Sequence, residues 1–169
     1  MELGKAARSE WRLDPAFLTV NHGSFGATPL AVRAEQDAWR ERMEAQPTRF
    51  MASLPGLLRA SAERLGAFLG AEGHDLAFVD NATTGCNAVL RSLALQPGDE
   101  IVMLSHVYNA VRNTAKFVAE KSGAKLVEAI VPFPDFSADA AVEAVRSVLT
   151  ERTRIAIVDH ITSASAIVL

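Results

Sequence analysis

From residue 76 onward, short apolar runs alternate with longer amphipathic segments. The apolar runs have the length of strands and cover residues 76–80, 100–104, 125–131 and 154–158. The intervening segments have helical periodicity, over residues 84–95, over residues 109–122 and after Ser137, which is a typical N-cap. Strands that alternate with helices of about ten or more residues predict a mostly parallel sheet with helices on both faces. We therefore predict an α/β fold.

Residues 1–75 lack this alternation. We predict an extended arm with one short strand over residues 1–20, a loop over residues 21–26, and a helix from Thr28-Pro29 to Ala45. A linker over residues 46–50 precedes a second helix that begins near Leu54-Pro55 and ends before Gly70. We expect two parts: residues 1–53 with the arm, the loop and the first helix, and residues 54–169 with the sheet.

A polar corner follows the first predicted strand. Residues 81–85 read Asn-Ala-Thr-Thr-Gly and lead directly into a helix. The first turn of a helix has unpaired amide groups and a partial positive charge, so it can bind an anion. The corner therefore predicts a phosphate site, although Thr83 or Thr84 could equally be a simple helix cap.

Three polar clusters follow predicted strands: residues 81–85, residues 105–108 and residues 159–163. In parallel sheets, ligands bind beyond the carboxyl ends of the strands. Together the clusters offer amides for a phosphate, a flat ring and short polar side chains, which suits a small planar phosphorylated ligand. The glycine pattern matches neither the dinucleotide fingerprint nor the phosphate loop, so a nucleotide-binding domain is the alternative on fold grounds alone.

Composition excludes several functional classes. The net charge of -3 and the 22% of charged residues indicate neither a nucleic-acid-binding nor a membrane-binding surface. One cysteine, Cys86, excludes an internal disulfide framework, and the N-terminus has no hydrophobic signal core. The spacing of the four histidines does not predict a metal site. We expect a cytoplasmic protein.

Five separated blocks resemble the class V aminotransferase family of pyridoxal-phosphate enzymes, most closely its isopenicillin N epimerase-like branch. The blocks are Val20 to Gly26, Arg49-Phe50, Phe78 to Gly85, His106 to Ala110 and Asp159 to Ser163. The resemblance implies the fold type I architecture, in which a large domain has a mostly parallel sheet. It also implies a homodimer with active sites at the interface, and pyridoxal 5'-phosphate as the cofactor.

The resemblance implies a role for individual positions. Thr83 and Thr84 would bind the cofactor phosphate, and Tyr108 would stack on the pyridine ring, with His106 as the alternative. Ser163, or Thr162, would approach the phenolic oxygen of the cofactor. The amino-acid substrate would meet four residues: Asn21, His22, Ser24 and Arg49. His160 could equally be a structural histidine.

The family's cofactor-binding lysine has no counterpart in this sequence. Lysine occurs in the arm, in a predicted helix and at the amino end of a predicted strand, at positions 5, 116, 121 and 125. We therefore expect an amino-terminal fragment of an epimerase, a carbon–sulfur lyase or desulfurase, or an aminotransferase, which is catalytically incomplete alone. The alternatives are a non-enzymatic domain that binds a phosphorylated ligand and a nucleotide-binding α/β domain.

Overall fold

The computed structural model describes residues 4–169, which form two compact units. One unit extends to Ala77 and the other is Phe78–Leu169. The functional division that we expect between residues 53 and 54 stays a prediction. Between residues 4 and 169, no helix is both long and apolar enough to cross a membrane.

The first unit is helical. It has a 3-10 helix over Gly4–Glu10, helices α1 (His22–Phe25), α2 (Leu30–Ala45) and α3 (Pro47–Leu69), and a 3-10 turn over Gly73–Asp75. As predicted, α3 ends at a glycine, because Gly70 adopts the left-handed conformation with φ 72°. Helix α3 packs against α2 and against the Gly73–Asp75 turn.

Several local predictions for this unit were wrong. Residues 46–50 are not a linker, because α3 begins at Pro47 and contains Pro55 in its interior. The predicted loop at residues 21–26 contains the single turn α1, and α2 begins after Pro29 rather than at it. Pro47 occupies a first-turn position, where the missing amide of proline costs no hydrogen bond, so Pro55 was the wrong choice of helix start.

The second unit contains the sheet. Helix α4 (Ala82–Ser92) precedes β1 (Glu100–Leu104), α5 (Asn109–Ser122), β2 (Lys125–Ala129), α6 (Ala138–Val148) and β3 (Thr153–Ile157). The strand order is β2-β1-β3, and both pairings are parallel. The predicted parallel sheet is therefore confirmed.

Helices cover both faces of this sheet, as predicted. Side chains of β1 alternate between the faces: Ile101 and Met103 pack with α4 and α5, whereas Val102 and Leu104 pack on the α6 side. The crossovers through α5 and α6 run in opposite directions on opposite faces, so they have the same hand. Strand β1 pairs on both sides and is the central strand, and all five of its residues are buried.

The strand predicted at residues 76–80 does not form in the described chain. These residues are irregular, and Phe78 and Val79 are 51% and 50% exposed. A strand requires a neighbour to pair its amide and carbonyl groups, and none of the three strands between residues 4 and 169 pairs with this segment. An apolar run of strand length therefore does not form a strand unless another strand pairs with it.

Candidate functional site

The side chain of Asn81 caps the first turn of α4. The Asn81 side chain accepts hydrogen bonds from the Thr84 amide at 2.9 Å and from the Thr84 hydroxyl at 3.2 Å. The Gly85 amide donates to the Asn81 carbonyl at 3.1 Å. Within residues 4–169, the amides of Ala82 and Thr83 have no hydrogen-bond acceptor. These two groups, rather than those of Thr84, are therefore free to bind an anion.

Helices α4 and α5 run side by side in the same direction. Asn87 in α4 donates to the Thr114 hydroxyl in α5 at 2.9 Å, and further along the Arg91 guanidinium lies 4.7 Å from the Phe117 ring centre. The two contacts advance together toward both C-termini, so the N-terminal turns lie at the same end. Because α5 follows β1, this end is the carboxyl edge of the sheet.

The structure separates the two candidates for the stacking ring. Tyr108 directly precedes α5 and is 49% exposed, and in the described chain its hydroxyl makes no hydrogen bond. His106 is half-buried and bonded through both ring nitrogens, to the Val131 carbonyl at 3.2 Å and to the Ser165 hydroxyl at 2.9 Å. Tyr108 is therefore the more accessible of the two rings.

The last cluster forms a small hairpin. Ile161 and Val168 make an antiparallel bridge, and the Thr162 amide donates to the Ile167 carbonyl at 2.9 Å. Thr162 is 2% exposed, and its hydroxyl accepts from the Ile167 amide at 2.8 Å. Ser163 is exposed at the turn. Of these two candidates for the cofactor's phenolic oxygen, only Ser163 has a free side chain.

Asp159 precedes this hairpin and has a partly buried carboxyl group. Its Oδ2 is buried and has no hydrogen-bond partner in the described part of the molecule. Burial raises the pKa of the Asp159 carboxyl group, and a bond to its own backbone amide offsets this only in part. The sequence singled out the cluster, but it gave no sign that this carboxylate would be desolvated.

Arg112 fixes the loop after β1. Its guanidinium donates to the Ser105 carbonyl at 3.0 Å and contacts the Glu128 carboxylate at 2.7 Å. The Ser105 hydroxyl in turn accepts from the Val131 amide at 3.0 Å. These bonds join the ends of β1 and β2 beside Tyr108. Sequence reasoning missed Arg112, because an arginine inside an amphipathic helix carries no signal of its partner.

The residues predicted to meet the substrate lie in the other unit. Asn21 caps α1, where its side chain accepts from the Ser24 amide at 3.3 Å. His22 is exposed and lines a cavity of about 550 Å³ together with Trp11 and other residues of the arm. Arg49 is exposed in the first turn of α3. Their predicted roles are neither supported nor contradicted by these positions.

The lysines of the sheet-bearing unit lie away from the carboxyl edge. Lys125 is the first residue of β2, at the opposite edge. Lys116 is 67% exposed along α5, where it lies 3.9 Å from the Glu120 carboxylate, and Lys121 belongs to the last turn of the same helix. None of these three lysines therefore lies at the carboxyl edge of the sheet, where the polar clusters lie.

Comparison with known proteins supports one family. The family model described as aminotransferase class-V matches residues 29–168. A protein of Arabidopsis thaliana named "Probable L-cysteine desulfhydrase, chloroplastic" is 33% identical over 92% of this chain and 36% of its own length. Isopenicillin N epimerase of Amycolatopsis lactamdurans is 35% identical over 96% of this chain and 42% of its own length.

Solved structures agree on the fold. The cystine C-S lyase C-DES, in complex with its product cysteine persulfide, aligns with a TM-score of 0.80 and 21% identity over 88% of this chain and 40% of that one. The cysteine desulfurase CsdA of Escherichia coli aligns with a TM-score of 0.73 and 21% identity over 93% of this chain and 41% of that one. This chain thus spans about 36–42% of the length of these relatives. It belongs to the class-V aminotransferase family.

Proposed function

We propose that this chain is part of a pyridoxal-phosphate-dependent enzyme that acts on an amino acid. The single observation that carries the proposal is the first turn of α4, where the Ala82 and Thr83 amides are free at the positive end of a helix. The Thr83 hydroxyl adds a third donor for the cofactor phosphate. Thr84 contributes indirectly, since its amide and hydroxyl hold the Asn81 cap in place.

The remaining site residues fit the other parts of this cofactor. The half-exposed ring of Tyr108 is suited to stacking on the pyridine ring and is more accessible than the half-buried ring of His106. The exposed hydroxyl of Ser163 is suited to the phenolic oxygen. A phosphate site, an aromatic ring and a short hydroxyl at one sheet edge support this cofactor better than a nucleotide, because the sequence has neither the dinucleotide fingerprint nor the phosphate loop.

The chemistry would be that of the α carbon of an amino acid. When bound, pyridoxal phosphate withdraws electrons from this carbon and weakens its bonds. This chain's residues would bind and orient the cofactor, whereas the lysine that attaches it would lie outside these 169 residues. The similarity to a desulfhydrase and an epimerase favours carbon–sulfur lysis or epimerisation, with transamination as a third outcome.

Substrate binding is proposed for the other unit. Asn21, His22, Ser24 and Arg49 would line the substrate entrance, with the Arg49 guanidinium as the group for the substrate carboxylate. Arg49 is exposed, so its charge is accessible to such a ligand. We further propose a homodimer in the complete enzyme and a cytoplasmic location, the latter because a single cysteine suits a reducing compartment.

The proposal is tested by comparing pyridoxal phosphate with pyridoxal, which lacks the phosphate. We expect the chain to bind pyridoxal phosphate more tightly, and Thr83→Val to weaken that binding by roughly tenfold, as expected when a hydrogen bond to a charged group is lost. Ser92→Ala, at the other end of α4, is the matched control. Equal affinity for the two compounds would contradict the phosphate site.

Two further outcomes distinguish the alternatives. After borohydride reduction, a stoichiometric adduct on Lys116, Lys121 or Lys125 would contradict our claim that the attachment lysine lies elsewhere. Tight binding of an adenine nucleotide at the first turn of α4 would instead support a nucleotide-binding domain.

A further inference from the structure

A chain of hydrogen bonds links the ends of all three strands. It begins at the Val131 carbonyl beyond β2 and passes through His106, which follows β1, at 3.2 Å. It continues from His106 Nδ1 to the Ser165 hydroxyl at 2.9 Å, and from there to the Thr162 hydroxyl at 2.8 Å. The hairpin beyond β3 is thus tied to the loop that carries Tyr108.

The chemistry of the end groups fixes the direction of these bonds. A carbonyl can only accept, so His106 Nε2 donates to Val131. In the neutral ring Nδ1 is then an acceptor, and Ser165 donates to it. The Ser165 oxygen in turn accepts from the Thr162 hydroxyl. Each nitrogen and hydroxyl oxygen in this series of hydrogen bonds therefore has a partner.

The hairpin needs this support because it is small. Its backbone is closed by the bridge between Ile161 and Val168 and by a bond from the Ala166 amide to the Thr162 carbonyl at 3.0 Å. Ala166 lies in the left-handed region at φ 54°, which is unfavourable for a residue with a Cβ. Ser163 stands exposed at the turn between these constraints. A hydroxyl on such a turn keeps a fixed position only if the turn is anchored from outside.

We infer that His106 and Ser165 are positioning residues, which hold the Ser163 hairpin against the loop that carries Tyr108. This inference rests on the proposed function, in which Ser163 contacts the phenolic oxygen of the cofactor. Neither side chain touches the cofactor itself. Their contribution is to fix the distance between the stacking ring and the hydroxyl.

The first test needs no cofactor. Nitrogen-15 NMR of His106 should show a proton on Nε2 and none on Nδ1, and Ser165→Ala should accelerate amide exchange at Thr162 and Ile167. Ser165→Thr retains the hydroxyl and should restore protection, and His160→Gln, which alters an exposed histidine, should leave it unchanged. A proton on Nδ1, or unchanged exchange in Ser165→Ala, would overturn the inference.

The second test separates positioning from general loss of structure. Pyridoxal phosphate should bind about three- to tenfold more weakly to Ser165→Ala, the loss expected for one hydrogen bond. The affinity for 3-deoxypyridoxal phosphate, which lacks the phenolic oxygen, should not change. An equal loss for both ligands, or no loss for either, would contradict positioning. If the unaltered chain binds neither ligand, the proposed function fails, while the NMR test still decides the role of His106 and Ser165.

Discussion

Replacing Thr162 by valine removes a hydroxyl from the buried centre of the hairpin and leaves the side-chain shape almost unchanged. The Thr162 oxygen accepts from the Ile167 amide at 2.8 Å and pairs with the Ser165 hydroxyl at 2.8 Å. Thr162 and Ile167 are 2% and 8% exposed, so water does not readily replace these bonds. The substitution therefore leaves the buried Ile167 amide without an acceptor.

The expected loss of stability follows from these contacts. A buried amide without an acceptor costs about 1–3 kcal/mol, and the lost bond to Ser165 costs about 0.5–1.5 kcal/mol more. The additional methyl group of valine returns less than about 1 kcal/mol. We expect Thr162→Val to lower the free energy of unfolding by about 2 kcal/mol.

Urea unfolding measures this loss. With a slope of about 2 kcal/mol per molar urea, the midpoint should fall by about 1 M. Thr162→Ser keeps the hydroxyl and should lie close to the unaltered chain, and Ser163→Ala tests an exposed neighbour whose loss should stay within about 0.5 kcal/mol. An unchanged midpoint for Thr162→Val, or an equal loss in Ser163→Ala, would refute the reasoning.

Four further substitutions test other parts of the molecule. In α3, Gly66→Ala would place a Cβ 2.6 Å from the Ala71 carbonyl oxygen and should destabilise the fold by about 1–3 kcal/mol. Gly56→Ala in the same helix meets open space and should stabilise the fold by up to about 1 kcal/mol. Changes of the same sign in urea unfolding would contradict this contrast. Burial raises the Asp159 pKa above 3.8, so stability is full below that pH and falls as pH rises through the raised value. Asp159→Asn should therefore be the more stable form at pH 7, with a gap that closes toward pH 4, and a gap independent of pH would argue against it. The Asp99 pKa is lowered from 3.8, first by the hydrogen bond from the Gln96 amide and also by Arg154, against the effect of burial. The Asp99 carboxylate therefore stabilises the fold above pH 3.8, and this stabilisation is lost as the pH falls through the lowered pKa. Asp99→Asn should destabilise at pH 7 but not in strong acid, and thermal unfolding across pH would show whether it does.

The part of the fold that was predictable from sequence is the part held by local rules. Strand β1 and helix α5 have the predicted bounds, and Gly70, Gly123 and Ser137 end or begin helices as expected. In each case the signal is carried by neighbouring residues: an apolar run, a glycine with positive φ, or a hydroxyl that accepts from an amide of the first turn. No knowledge of the tertiary structure was required.

The wrong predictions have two different causes. Residues 76–80 have the composition of a strand, but strand formation depends on a partner. The start of α3 was misplaced because two prolines, Pro47 and Pro55, were both acceptable first-turn residues by local criteria.

For the candidate site, the sequence identified the polar clusters but not which residues of each cluster have free side chains or amides. It marked Thr83 and Thr84 as equals and left Tyr108 and His106 as alternatives. In the structure Asn81 accepts from both Thr84 donors, and both nitrogens of the His106 ring are hydrogen-bonded, one to Val131 and one to Ser165. The His106 bonds join residues 25 and 59 positions apart and cannot be inferred from residue type or spacing, whereas the Asn81 cap on Thr84 is a local pattern.

The most direct test of the phosphate site is a titration of the chain with pyridoxal phosphate, followed by amide NMR. We predict that the largest shifts occur at the Ala82 and Thr83 amides, that Thr84 moves less because its amide is bonded to Asn81, and that inorganic phosphate competes for the same amides. Saturable binding that leaves the Ala82 and Thr83 resonances unmoved would contradict the assignment of this turn as the cofactor's phosphate site.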